Sequence, residues 1–171
     1  MSLHSSIHIL RHLLITMLTC SALTSCDSVD DKRIPSMPVQ IVFTDVGMWN
    51  MYGVGGAMQS RRFFRTKTES QPTGFFYTAT TYTGYGGVLL VGDIMGDPKA
   101  YDLACPYECS PEIRVSVDSK THLAVCPKCH SEYDVFENQG IAVSGPAAKR
   151  GYSLRRYGVY SGSTNYRVIT N

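Results

Sequence analysis

The chain has 171 residues, a formal net charge of +2, 18% charged residues and 43% hydrophobic ones, which suits one ordinary globular domain and excludes a large multidomain enzyme. The nearly balanced charge also argues against a dedicated nucleic-acid binder, whose basic footprint would dominate the count. Fifteen glycines, eleven tyrosines and an excess of threonine, set against few stretches rich in Ala, Leu, Glu and Lys, favour strands and turns over helices. Six cysteines are the unusual feature. Cys20 and Cys26 lie near the start, whereas Cys105, Cys109, Cys126 and Cys129 crowd into one short window.

Residues Met1 to Arg11 are mixed in polarity. Leu13 to Leu23 (LLITMLTCSAL) form an apolar run shorter than the roughly 20 residues a spanning helix needs, the layout of a signal-peptide core. The run ends in Leu23, Thr24, Ser25 and Cys26, which resembles a bacterial lipobox. That resemblance implies a lipoprotein signal peptide over residues 1–25 and a diacylglycerol thioether on Cys26 as the mature N-terminus. It also implies a location in the bacterial cell envelope, lipid-anchored to a membrane and extracytoplasmic. A plain secretory signal with an incidental cysteine, or a single anchor helix, are the other readings. Cys20 reads as a small hydrophobe discarded with the apolar run. Residues 26–37, polar through Arg33 and then carrying Pro35, read as a tether.

From residue 38 onward, short runs of β-branched and aromatic residues alternate with glycine, asparagine and aspartate, the pattern of an all-β, antiparallel domain. The expected strands are Val39 to Thr44, Arg62 to Thr66, Phe75 to Thr81, Gly87 to Gly92, Ile113 to Asp118, His122 to Val125, Ile141 to Val143, Leu154 to Tyr160 and Tyr166 to Thr170. Ile113, Val115 and Val117 alternate with Arg114, Ser116 and Asp118, so this strand has one face in the core and one in water. Asp118 to Thr121 and Ser161 to Asn165 have turn composition and predict hairpins. Trp49 to Gly56 is glycine-rich but lacks the lysine and serine of a phosphate-binding loop, and reads as a loop. Asp93, Asp97 and Asp102 read as a solvated acidic group rather than a metal cage.

Two knuckles carry the chemistry: CPYEC from Cys105 to Cys109 and CPKCH from Cys126 to His130. The intervening segment folds back as a hairpin and brings the knuckles face to face. Proline after each first cysteine favours a tight turn whose N–H groups can point at sulfur. Four convergent thiols signal zinc or an iron–sulfur centre, because soft thiolates select those metals. Two disulfides are the competing reading in an oxidising envelope.

DLACPYEC (Asp102 to Cys109), VCPKCHSEYDVF (Val125 to Phe136) and SGPAAKRGYSLRRYGV (Ser144 to Val159) together resemble the cluster-binding half of a Rieske domain. That family carries cysteine, one residue and histidine in its first loop, cysteine, two residues and histidine in its second, and a proline loop over the cluster. Cys105 and Cys126 match the two family cysteines, and Gly145, Pro146 and Ala147 resemble the proline loop. Tyr107 and Cys129 stand where the family has its histidines, and Cys109 is additional. The resemblance implies a Rieske-like antiparallel β domain over residues 38–171, with a rubredoxin- or zinc-ribbon-like metal-binding subdomain at about 102–147.

The metal ligands expected on this basis are Cys105, Cys109, Cys126 and Cys129, with Tyr107, His130 and Pro146 as neighbours. The resemblance implies a [2Fe-2S] cluster and an electron-transfer protein with an unknown redox or envelope partner. Histidine ligands are what raise a Rieske potential to about −150 to +300 mV, so an all-cysteine site would lie nearer the roughly −400 mV of plant-type ferredoxins. The alternative is a structural Cys₄ Zn²⁺ site, or disulfides, in a binding or assembly module. No acid–base or nucleophilic constellation points to independent catalysis. Lys128, Lys149, Arg150, Arg155 and Arg156 lie near the site in sequence, and Arg155 and Arg156 read as a solvated face.

Overall fold

The computed structural model describes residues 30–162 and 166–171; the signal-peptide residues, Cys20 and Cys26 lie outside them. Twelve strands and two short helices are present among the described residues, and every strand pairing is antiparallel. An eight-stranded sheet contains β1 (Val39–Phe43), β2 (Ser60–Arg65), β3 (Ser70–Gln71), β4 (Tyr82–Thr83), β5 (Val88–Gly92), β6 (Pro98–Asp102), β11 (Arg156–Ser161) and β12 (Arg167–Thr170). Its strand order is β3-β2-β5-β6-β11-β12-β1-β4. A smaller sheet contains β7 (Ser116–Val117), β8 (Ala124–Val125), β9 (Glu132–Asp134) and β10 (Ile141–Ser144), in the order β10-β9-β8-β7. The helices are α1 (Val46–Tyr52) and α2 (Gly145–Lys149).

Side chains on a strand point alternately to opposite faces, and on β2, β5 and β6 both faces are covered. Phe63, Val88, Leu90 and Ala100 enter a core with Phe43, Trp49 and Phe75. Their neighbours Phe64, Leu89, Val91 and Tyr101 enter a second core, which includes Cys105, Cys126 and Tyr133. This explains the run VLLVG, apolar at every position rather than alternating, since a strand covered on both sides has no solvent face. The larger sheet is thus a shared wall between an aromatic core and the cysteine-bearing sheet.

Several local expectations change. Residues 75–81 do not form a strand. Phe75 is buried against Phe63 and Tyr77, with ring centroids 5.2 and 4.9 Å away. The threonines that follow close a turn on themselves: Thr78 N–H donates to Thr81 Oγ1 at 3.0 Å and Thr81 N–H to the Thr78 carbonyl at 3.2 Å. Hydroxyl groups here compete with a ladder for the backbone donors. The start of the glycine-rich stretch belongs to α1, whose N-cap Asp45 accepts from Met48 N–H at 2.9 Å. Strands β3, β4, β6 and β9 have no counterpart among the expected strands; β6 opens on Pro98, a residue a strand tolerates at its first position. The 26–37 tether is, from Asp30 on, part of the folded body. Ile34 is 1% exposed, Asp30 forms a bridge to Tyr152, and Arg155 Nη2 donates to the Ile34 carbonyl at 2.8 Å. Arg155 is therefore a staple for this segment and not a solvated cation, whereas Arg156 is exposed and pairs with Asp31 at 3.4 Å.

Asp102 departs furthest from its expected solvated setting. It is fully buried and accepts from Tyr85 N–H (2.9 Å), Gly86 N–H (3.0 Å), Ala104 N–H (2.7 Å) and the Tyr157 hydroxyl (2.5 Å). Burial pushes its carboxyl up, opposed by these donors. A Cβ on Gly86 would lie 2.5 Å from Ala104 N, so only glycine allows this approach. The carboxylate ties the 84–86 loop to the end of β6, three residues before Cys105. Removing it strands two buried N–H groups and a buried hydroxyl, each costing about 1–3 kcal/mol, together with the part-buried Tyr85 N–H. Asp102→Ala should therefore lower unfolding free energy by about 3 kcal/mol or more in urea titration, while Lys120→Ala on the exposed hairpin turn should stay within about 0.5 kcal/mol.

Candidate metal centre

The hairpin expected between the knuckles is present. Ser116 pairs with Val125 and Val117 with Ala124, and Asp118 Oδ1 closes the turn by accepting from Lys120 and Thr121 N–H, both at 2.9 Å. The two knuckles leave this hairpin with matching backbone bonds. In the first, Cys105 N–H donates to the Ile113 carbonyl and Cys109 N–H to the Cys105 carbonyl, both at 3.0 Å. In the second, Cys126 N–H donates to the Ser131 carbonyl at 3.0 Å and His130 N–H to the Cys126 carbonyl at 3.1 Å. The fifth residue of each knuckle is left-handed, Cys109 at φ 49° and His130 at φ 56°. The N–H of the fourth residue, Glu108 or Cys129, helps to favour the thiolate of the first cysteine, joined in the second knuckle by Lys128 N–H.

This geometry gathers Cys105, Cys126 and Cys129, whose Sγ atoms all lie within 4.8 Å of one another. Cys105 and Cys126 are fully buried and Cys129 is partly buried; the Cys105 and Cys129 sulfurs are 3.6 Å apart. Three convergent thiols can hold a metal ion. The fourth expected ligand, Cys109, is not brought into the group. Its Sγ faces the Pro106 carbonyl at 3.1 Å. Tyr107 and His130 are exposed and stand outside the group. Pro146 is half-buried in the first turn of α2, where its missing N–H costs nothing.

Two residues that drew no attention in the sequence complete the site. Tyr133 Oη lies 3.2 Å from Cys105 Sγ, and Ser131 Oγ lies 3.2 Å from Cys129 Sγ. Ser131 Oγ also accepts from Ala147 N–H at 3.0 Å, which leaves its own proton for the sulfur once Cys129 is a thiolate. The start of α2 can come this close because residue 145 is glycine. Its φ is +78°, and a Cβ there would lie 2.7 Å from Ser131 Cα. The period-2 run SEYDV was the available signal: Ser131, Tyr133 and Val135 are buried while Glu132 and Asp134 are half-buried.

The thiols are electrostatically unequal. Burial pushes Cys105 up to about 12, with a hydrogen bond from Tyr133 opposing it, and burial also raises Cys126. Cys129 is held below its ordinary value: burial opposes ionisation, but hydrogen bonds from the Ser131 hydroxyl and N–H and from the two neighbouring thiols outweigh it. Burial raises Tyr133, keeping it a donor. Cys129 is thus the first of the three to ionise and the natural point of entry for a metal, which binds thiolate.

No family model, curated protein or solved structure matches the chain. Among the described residues, no helix is long and apolar enough to cross a membrane.

The inequality can be measured in the metal-free, reduced protein by mass-resolved alkylation across pH. Cys129 should react at lower pH than Cys105 and Cys126. Ser131→Ala removes a donor that favours the thiolate, so the Cys129 profile should move to higher pH. An unmoved profile would remove the hydroxyl from the site.

Proposed function

We propose that this chain is a lipid-anchored protein of the bacterial cell envelope whose domain is organised by a single metal ion held on Cys105, Cys126 and Cys129. The observation that carries this reading is the mutual approach of the three sulfurs within 4.8 Å. With Zn–S bonds of about 2.3 Å, the edge of a tetrahedron of sulfurs is about 3.8 Å, and the 3.6 Å Cys105–Cys129 separation is close to such an edge. A two-iron core would spread its thiolates into two separated pairs, so the spacing favours one ion. Zinc fits the soft donor set and has no redox chemistry. In that form the domain is a binding or assembly module, and the ion contributes folding free energy on the order of 10 kcal/mol. The anchor rests on the lipobox-like Leu23 to Cys26.

The second reading is an envelope electron carrier with iron, or a Rieske-like [2Fe-2S] cluster, on the same thiols. What favours it is the placement of the Tyr133 and Ser131 hydroxyls against Cys105 and Cys129, since hydrogen bonds to sulfur set the potential of an iron centre.

Metal analysis and a visible spectrum of the anaerobically purified protein separate the two. The first reading expects a colourless protein with one zinc per chain. Cys105→Ser and Cys126→Ser should each remove the stoichiometric metal and lower the melting temperature sharply. Absorption at roughly 400 to 500 nm with about two irons and acid-labile sulfide per chain would transfer the site to the second reading. Cys26→Ser should release the protein from the membrane fraction without altering its metal content.

A further inference from the structure

Three thiolates leave one corner of a tetrahedral site to be filled. The two knuckles can be superposed position by position: Cys105 on Cys126, Pro106 on Pro127, Tyr107 on Lys128, Glu108 on Cys129 and Cys109 on His130. The match is more than sequence spacing. In both, the fifth residue is left-handed and donates its N–H to the first residue's carbonyl. In both, the fourth residue's N–H favours the thiolate of the first residue, with Lys128 N–H added in the second. In the second knuckle it is the fourth residue, Cys129, that turns its ligand atom inward, and the fifth, His130, that stays outside. By backbone position Glu108 corresponds to Cys129, although its carboxylate is paired with Lys128 and stands outside the group of three sulfurs, while Cys109 corresponds to the outward His130, which agrees with its sulfur facing the Pro106 carbonyl.

From this correspondence, and on the single-ion reading above, we infer that Glu108 supplies the fourth ligand, giving a Cys₃Glu site in which Cys109 takes no part. Carboxylate oxygen is an established zinc donor at about 2.0–2.2 Å. The Glu108 side chain is only 10% exposed, and its carboxylate already crosses to the opposite knuckle, where Lys128 Nζ pairs with Oε2 at 2.6 Å. Lys128 is 64% exposed in its side chain, so it can move into water and leave the carboxylate to the ion. It also remains near enough to offset the net charge of about −2 that three thiolates and a carboxylate leave around a divalent ion. No covalent or redox step is involved: the metal exchanges its aqueous ligands for three thiolates and one carboxylate, and the thiol protons pass to solvent.

The test uses the full chain in detergent, reduced and loaded with zinc. X-ray absorption at the zinc edge should show three sulfurs and one oxygen. In competition with a chromophoric chelator, Glu108→Gln should weaken zinc at least about tenfold, and Cys109→Ser should leave both affinity and the sulfur count unchanged. Glu108→Cys should convert the shell to four sulfurs and restore tight binding, which also shows that position 108 reaches the ion. Circular dichroism of each variant confirms folding. A four-sulfur shell in the native chain that falls to three in Cys109→Ser would overturn the inference, as would Glu108→Gln with unchanged affinity and an unchanged oxygen. A native chain that takes up no stoichiometric zinc would overturn the single-ion reading and this inference together, whereas three sulfurs with an indifferent Glu108 would overturn this one alone.

Discussion

The arrangement around Cys105, Cys126 and Cys129 depends on a backbone constraint that precedes any metal. Each knuckle must turn tightly enough for its fourth N–H to meet the first sulfur, and each does so by placing its fifth residue at positive φ. Neither Cys109 nor His130 is glycine, the residue that tolerates this region best, so each knuckle accepts a local conformational cost. That cost is offset by directing donors at sulfurs buried in the core. Cys105 and Cys126 are fully buried, and a thiolate there without donors or a cation would be strongly unfavourable. The knuckle geometry therefore suits the ion proposed for this site.

The rest of the fold holds the two knuckles at a fixed distance. Cys105 follows directly from β6, the strand at the centre of the shared wall, through Asp102 and its four donors. Cys126 leaves β8 and is followed by β9, and the smaller sheet carries Ser131 and Tyr133 against the thiols. Because β5 is covered on both faces, displacement of the wall disturbs the aromatic core as well as the cysteine-bearing one. Rigid support of this kind is what a ligand set with tolerances of a few tenths of an ångström requires. The segment over residues 30–37 adds a last clamp. Arg155 reaches its carbonyls, and Arg33 lies over the Tyr152 ring at 5.6 Å from the centroid.

The sequence made legible what depends on local pattern. Alternation and turn composition located β1, β2, β5, the hairpin of β7 and β8, and the paired strands β11 and β12, and the spacing of the cysteines pointed to one site between two knuckles. It failed where tertiary context decides. Phe75 to Thr81 has strand composition, but Phe75 is drawn into the aromatic core and the threonines satisfy one another. Asp102 reads as polar surface, because a buried carboxylate with four donors leaves no periodic trace. Tyr133 and Ser131 lay in an alternating run too short to stand out beside the knuckle. Counting cysteines alone also could not separate Cys109 from Cys129: one residue of difference in position exchanges the inward corner of the turn for the left-handed one.

The extracytoplasmic setting proposed above would sharpen the case for an ion at this site. Three thiols within reach of one another cannot all be satisfied by disulfides, since one pairing leaves an odd sulfur. Cys105 and Cys129 lie 3.6 Å apart at sulfur, and joining them would leave Cys126 buried and unpaired. A bound cation removes this frustration in one step, since it engages all three sulfurs and lowers their affinity for protons. It also withdraws the thiolates from oxidation, because the electron pair that would attack a disulfide or peroxide is committed to the metal. The placement of Cys129, the least buried of the three and the one whose thiol is held below its ordinary value, would give incoming metal a first foothold, and the buried Cys105 and Cys126 would then ionise against the cation rather than against the protein interior.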